Sequence, residues 1–273
     1  MSWDDPRTEA ADLVILRATW DYAERREEFL AWTGRVRNVL NAPSVVAWNS
    51  DKHYLLDLKA AGVPIVPSFF LDVAEFGLGD DLGIPDAETV VKPAIGAGSI
   101  DTQRFTGRDE ASEHAATLLA AGRSVLVQRY DPRVEQGETA LVFLGGQQSH
   151  AFTKGPILPP HGGAPALDPS GTYARETLGP ADPDFALWDL GYAALDAACA
   201  RVGVGRDEVL YARVDVIGGP DAPVLLELEL IEPALGWRQL EPDVRVRQQR
   251  RFALAVESAC ERLGLGPLSH RGP

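Results

Sequence analysis

Two stretches near the end of the chain, Tyr211-Ala-Arg-Val-Asp-Val-Ile217 and Val224-Leu-Leu-Glu-Leu-Glu-Leu-Ile231, read as strands joined by Gly-Gly-Pro-Asp-Ala. Side chains alternate along a strand, so Arg213 and Asp215 share one face, as do Glu227 and Glu229 on the neighbour. Val214, Val216, Leu226, Leu228 and Leu230 then fill the other face. Three carboxylates and one guanidinium converge. An oxygen-only donor set of that size suits a hard cation, Mg²⁺ or Mn²⁺, holding a polyphosphate. A half-exposed sheet face that happens to be acidic fits the same two strands equally well.

Working outward, the next informative segment is Val90-Val-Lys92-Pro93-Ala-Ile-Gly96-Ala-Gly98-Ser99, a strand, a lysine and a short glycine-bearing loop. Glycine lets backbone N–H groups approach a phosphate, and a lysine at the strand end supplies a point charge. The pattern matches neither a Walker A loop nor a dinucleotide fingerprint, and an ordinary loop accounts for it as well. Lysine is scarce: of 26 basic residues only Lys52, Lys59, Lys92 and Lys154 are lysines, which makes each one worth weighing as a phosphate ligand. Lys52 falls in the first turn of a helix expected over 51–61, capped by Ser50 or Asn49 and stopped by Gly62 and Pro64. Gln128-Arg129-Tyr130 ends a strand, followed by Asp131-Pro132, Glu135 and Glu138. Free backbone groups there, beside a carboxylate, would grip an adenine edge and a ribose; a plain domain hinge reads the same.

The rest of the pattern is mixed. A short strand at 12–17 precedes helical spacing over 24–39, with Phe29, Leu30, Val36 and Val39 as its stripe. Strands follow at 65–71, 89–92 and 124–130, with a helix at 109–121. Two alternating runs from 138 to 154 flank Gly145-Gly146 as a hairpin. The Pro- and Gly-rich stretch 156–183 reads as a long functional or mobile loop. Helices close the chain at 184–202 and 243–263.

Composition sets the outer limits. With 26 basic against 40 acidic residues, the 273-residue chain carries a net charge of −14. That excludes nucleic acid as a default partner. No apolar run approaches a membrane span, and the first thirty residues carry charges throughout, so no membrane is expected and the location is expected to be cytoplasmic. Cys199 and Cys260, in alanine-rich helical stretches, are expected to be core residues. The histidines show no metal spacing, and no Ser/His/Asp set suggests a hydrolase.

The order of these segments is what narrows the choice: Lys52, then the Lys92 loop, the hinge at 128–131 and the acidic hairpin at 213–229. This succession resembles the ATP-grasp superfamily, over about residue 45 to the C-terminus. The resemblance implies an ATP-grasp fold of two α+β subdomains clamping ATP, with Lys52 and Lys92 on phosphates and the hinge on adenine. Asp215 with Glu227-Leu-Glu229 would hold magnesium, Glu229 standing where the family has Asn. Within the superfamily, Asp51-Lys-His-Tyr-Leu, Ala61-Gly-Val-Pro-Ile-Val-Pro67, Gly137-Glu-Thr-Ala-Leu-Val-Phe143, Ser149-His-Ala-Phe-Thr-Lys-Gly155 and Leu226-Glu-Leu-Glu-Leu-Ile-Glu-Pro233 are most similar to the group containing O-ureido-serine cyclo-ligase of D-cycloserine biosynthesis.

That resemblance implies a division into residues 1–45, a partial α/β unit preceding the ATP-grasp body and truncated relative to the family; 46–130, the central subdomain; and 131–273, the C-terminal subdomain with the metal site. It implies an ATP-dependent carboxylate–amine ligase acting through an acyl phosphate on a small amino-acid-like substrate, with cyclisation of an O-ureido-serine-type compound as one form of that reaction. The expected cofactors are ATP and Mg²⁺ or Mn²⁺. Arg213 is placed for the tetrahedral oxyanion, and Ser99 for a phosphate or as a turn residue. Lys154 is expected to touch the γ-phosphate or substrate, or else to be a surface lysine. Gln128, Arg129, Tyr130, Glu135 and Glu138 would serve the nucleotide. Glu232, with Arg17, Trp20, Asp21 and Tyr22, would face the substrate. An ATP-grasp kinase and a non-catalytic nucleotide-binding protein are the alternatives; a homodimer is compatible with the sequence.

Overall fold

The computed structural model describes residues 1–76, 81–159, 162–171 and 173–266. In chain order the elements are α1 (Pro6–Glu9), β1 (Val14–Ile15), α2 (Arg26–Thr33), β2 (Val39–Leu40), α3 (Pro43–Asn49), α4 (Tyr54–Ala60), β3 (Ser68–Leu71), β4 (Thr89–Pro93), β5 (Gln103–Phe105) and α5 (Arg108–Ala120). Then come β6 (Val125–Arg129), β7 (Glu138–Leu144), β8 (Gln147–Lys154), β9 (Leu178–Pro180), α6 (Phe185–Val202), β10 (Tyr211–Ile217), β11 (Val224–Glu229) and α7 (Pro242–Arg262). No helix among the described residues is long and apolar enough to cross a membrane.

Three sheets organise the chain: a parallel pair β1–β2, a four-stranded antiparallel sheet in the order β3-β6-β4-β5, and a five-stranded antiparallel sheet in the order β11-β10-β7-β8-β9. The four-stranded sheet lays Val91, Val125 and Val127 against Ala111, Ala115 and Leu118 of α5. Behind the five-stranded sheet, α6 is buried along Leu187, Leu190, Ala194, Leu195 and Ala198 against Leu141, Phe143, Val214, Val216 and Leu228. Gly191 is required at that crossing, because a Cβ there would stand 2.9 Å from the Phe143 ring. On the other face, Val256, Ala259 and Cys260 of α7 join Ala140, Val142 and Phe152. Both cysteines are free and buried, as expected.

The first forty residues wrap an aromatic cluster of Trp3, Tyr22, Phe29 and Trp32 around Ile231, just past β11. The hydroxyl of Tyr211 stitches this unit to the sheet, lying 2.6, 3.1 and 2.8 Å from the carbonyls of Leu16, Leu40 and Ile231.

Several expectations need correction. The helix expected over 24–39 stops at Thr33: Val36 is buried in the following turn, and Val39 belongs to β2. Val39 finds a parallel strand partner in Val14, and pairing overrides the weak helical spacing of the last turn. The helix expected over 51–61 begins at Tyr54, because Asn49 and Ser50 end α3. Lys52 therefore sits in the turn between two helices. Within the acidic hairpin, β10 and β11 pair Arg213 with Glu229, Val214 with Leu228 and Asp215 with Glu227, but Val216 pairs with Leu225. That bulge sends Leu225 into the core and leaves Leu226, expected there, in the wall of a cavity. Pro64 and Val66 hold the bulge through backbone bonds to Leu225 of 2.8 and 3.0 Å. Of the stretch 156–183, residues 160, 161 and 172 lie outside the described residues; 178–180 form the edge strand β9, where a loop was expected.

Candidate functional site

A cavity of about 490 Å³ lies between the four- and five-stranded sheets, walled by β4, the Gly96–Ser99 loop, the end of β6, β10 and β11. Its acidic floor follows from strand register. The bonded pairs Arg213–Glu229 and Asp215–Glu227 put all four side chains on one face, and oxygens of Asp215, Glu227 and Glu229 lie within 4.8 Å of one another. Arg213 clasps Asp215 in a bidentate pair, Nε to Oδ1 and Nη2 to Oδ2, each 2.8 Å, and reaches Glu229 Oε1 at 2.5 Å. Among the described residues its Nη1 has only the Ala234 carbonyl, at 3.4 Å.

Lys52 is delivered to this floor by side chains that act as strand backbone. β11 is an edge strand with unpaired polar groups. Asn49 satisfies them by donating to Leu228 O at 2.8 Å and accepting from Leu230 N at 2.7 Å, while the Tyr54 hydroxyl accepts from Leu228 N at 3.0 Å. Pinned between those two residues, Lys52 places Nζ 3.0 Å from Glu227 Oε1 and 3.1 Å from Gly96 O, with its own N–H on Ala94 O at 2.8 Å. Lys92, on β4, faces the same space with no ion pair among the described residues. Burial pushes its pKa down to about 8, with Lys52 adding to the depression and Glu227 opposing it.

Lys154 is buried, so the surface-lysine reading is wrong. Its Nζ lies 2.9 Å from Asp215, 3.2 Å from Glu138 and 3.5 Å from Glu176. Burial alone would lift Asp215, yet Arg213 and Lys154 hold it below the usual carboxylate range. Burial likewise opposes ionisation of Glu227, and Lys52, Lys92 and Lys154 overcome it. Glu229 has no such surplus of cations: burial, reinforced by Glu227 and Asp215 against Arg213, pushes it up to about 7. Burial with Glu229 nearby lifts Glu232 to about 8.

Other expected residues divide. Ser99 lines the cavity in the left-handed region at φ 59°. Gln128, Arg129, Tyr130 and Glu138 are in the wall, as are Trp20, Tyr22 and Glu232. The hinge is not the free edge expected, since Arg129 N donates to Pro67 O and Tyr130 N to Glu88 O. Glu135 is absent from the wall: the Tyr130 hydroxyl and Arg104 Nη1 bond it at 2.5 and 2.7 Å, with the Arg104 guanidinium 3.5 Å over the Tyr130 ring. Asp21 turns away to accept from Trp3 Nε1 and pair with Arg25, and Arg17 lies behind the wall on Pro233 O. Sequence reasoning missed Asn49, Tyr54, Arg104 and Glu176; the first two carried a signal only as polar residues flanking a rare lysine.

The geometry and the fold together define the class. The crystal structure of D-cycloserine synthetase DcsG superposes with a TM-score of 0.77 at 34% identity, covering 96% of this chain and 88% of that one. D-alanine–D-alanine ligase from Bacillus anthracis, complexed with ATP, shares the fold at a TM-score of 0.63 and 17% identity, over 95% and 81% of the two chains. The fold is ATP-grasp.

Residues 1–41 match the family model described as D-cycloserine synthetase DcsG, N-terminal domain. The cycloserine biosynthesis protein DcsG of Streptomyces lavendulae is 39% identical over 249 residues, 85% of this chain and 80% of that protein. The chain belongs to the DcsG family of ATP-grasp ligases and is an ATP-dependent, C–N bond-forming enzyme acting on small molecules.

Proposed function

We propose that the chain activates the carboxylate of an amino-acid-like substrate as an acyl phosphate and closes it onto the substrate's own ureido nitrogen, O-ureido-serine being the substrate. The observation that carries this is the meeting of Asp215, Glu227 and Glu229 with Lys52 and Lys92 in one cavity, in a chain 39% identical to a cycloserine biosynthesis protein. We assign residues 1–45, 46–130 and 131–273 as the N-terminal, central and C-terminal units, with the cavity between the last two.

The donor set fits Mg²⁺: three oxygen ligands close together, one of them, Glu229, left short of positive charge. When bound, the ion supplies charge neutralisation to the phosphate oxygens. Lys52 and Lys92 neutralise the remaining phosphate charge, and Ser99 with the loop N–H groups holds a phosphate from above. Gln128, Arg129 and Tyr130 border the base; Glu138 positions Lys154; and Glu135 orders the hinge through Arg104. A carboxylate oxygen attacks the γ-phosphorus and ADP leaves; the nitrogen then attacks the acyl carbon, and phosphate leaves with that oxygen. Such a transfer needs positioning and charge compensation more than a protein nucleophile. Arg213, through Nη1, and Lys154 face the developing oxyanion.

Incubation with O-ureido-serine, ATP and Mg²⁺ tests this reading. Mass spectrometry is expected to show the cyclised product formed with ADP, and only when all three are present. A phosphorylated, uncyclised product would instead make the chain a kinase.

A further inference from the structure

Glu232 is a carboxylate without a partner in the wall of the catalytic cavity. Its Oε2 is shut off from solvent and accepts no hydrogen bond, and none of the ion pairs among the described residues includes it. It stands outside the set of carboxylates that close on one point, which is Asp215, Glu227 and Glu229. Its position is nonetheless built. The Tyr211 hydroxyl lies 2.8 Å from the carbonyl before it, Ile231 O, and Arg17 Nη2 donates to the carbonyl after it, Pro233 O, at 2.9 Å. Arg17 is in turn seated over the Tyr211 ring at 5.1 Å. Tyr211 of β10 and Arg17 of the N-terminal unit therefore fix the backbone on both sides of Glu232 while leaving the carboxylate itself unsatisfied.

A buried acceptor held in that state costs free energy in the empty protein, and a donor brought by a ligand removes the cost. A cationic donor suits it, since the nearby protein cations bond other groups: Lys52 bonds Glu227, Arg213 bonds Asp215 and Glu229, and Arg17 gives Nη2 to Pro233 O and bonds no carboxylate. Tyr22 and Ala234 share the wall with Glu232, and Arg17 lies behind it with a buried Nη1 that makes no hydrogen bond to the carboxylate.

We propose that Glu232 receives the α-ammonium of the substrate, the group that ligation leaves unreacted, and so restricts the enzyme to α-amino carboxylates. This rests on the ligase reading above. A site that must bond a substrate N–H rejects an analogue lacking it, because its own acceptor is then left unpaired.

The test compares O-ureido-serine with its des-amino analogue, 3-(ureidooxy)propanoate, in the wild type and in Glu232→Gln. The wild type is expected to lose about 10- to 100-fold in kcat/KM when the amine is removed, the size of one hydrogen bond to a charged group. Glu232→Gln is expected to lose a similar factor on O-ureido-serine, mostly in KM, and to treat the two compounds alike. Its KM for ATP and its Mg²⁺ midpoint stay unchanged, which also shows that it folds. Undiminished discrimination in Glu232→Gln overturns the proposal, and so does a raised Mg²⁺ requirement, which would make Glu232 a metal ligand. If O-ureido-serine is inert while another α-amino carboxylate drives ADP release, the substrate assignment falls and Glu232 is judged on that amino acid and its des-amino acid. A wild type that prefers the des-amino acid overturns the proposal in either case.

Discussion

Lys52 Nζ lies 3.0 Å from Glu227 Oε1, so the residue proposed for phosphate and a residue proposed for the metal hold each other. Each keeps the other charged: burial would discharge Lys52, but Glu227 raises its pKa above the ordinary lysine value. On the proposed reading, bound ATP and its metal would exchange this contact for two others, lysine to phosphate and carboxylate to cation. The pair is thus stored in the state the ligand needs.

Replacing Glu227 by Gln should leave the fold intact, since the side chain faces the cavity and not the core, and should lower ATP turnover at least about 10²-fold. Activity assays across a Mg²⁺ series, with circular dichroism as the fold check, measure this. Full activity at saturating Mg²⁺ would remove Glu227 from the metal set.

Lys52→Ala and Lys92→Ala should each weaken binding of a non-hydrolysable ATP analogue about 10- to 100-fold, the range for hydrogen bonds to charged groups. Lys59→Ala should not, because Lys59 is exposed in the last turn of α4, outside the cavity. Calorimetric titration compares the three; equal losses would mean that lysine scarcity was no guide.

Lys92 gives a pH dependence of definite sign. Burial brings its pKa from 10.5 down to about 8, and a polyphosphate binds the protonated form. Affinity for the ATP analogue is therefore full below about 8 and falls above it, by up to about tenfold per pH unit until the raised pKa of the complex is reached. In the ligand-free chain the same depression makes Lys92 less unfavourable to stability as pH rises from about 8 to 10.5. Lys92→Arg, which stays charged, should flatten the binding profile. A profile as steep as the wild type's would place the titration elsewhere.

The Gly96–Ser99 loop and the segment 173–178 touch through Ala174 N to Gly98 O at 2.9 Å, and Tyr173, Ala174, Glu176 and Leu178 line the cavity with Ser99. Few apolar anchors hold either segment, so both should exchange amide hydrogens readily alone and be protected by Mg²⁺-ATP. Unchanged exchange would argue against closure on the nucleotide.

What was legible in the sequence was what depends on strand alternation and on chain order. Arg213, Asp215, Glu227 and Glu229 share a face because side chains alternate, and no tertiary contact is needed to know it. The bulge was not legible: Leu225 and Leu226 are the same residue type, and what decides which one is buried is a pair of backbone bonds from Pro64 and Val66, some 160 residues away. Glu135 was misplaced for a similar reason, since Arg104 that captures it lies on another strand. Glu176 carried no signal within a Pro- and Gly-rich stretch, and becomes a site residue only because the chain folds back beside Lys154.

In the proposed reaction a substrate carboxylate takes the γ-phosphoryl group, and a nitrogen then displaces it from the acyl carbon as inorganic phosphate. Turnover of O-ureido-serine carrying ¹⁸O in its carboxylate, with ADP, inorganic phosphate and the isotope in that phosphate followed together, tests it most directly. Phosphate should be released in equal amount to ADP, with one ¹⁸O atom carried into it for each turnover from fully labelled carboxylate. Phosphate free of the label, or a γ-phosphoryl group retained on the product, would contradict it.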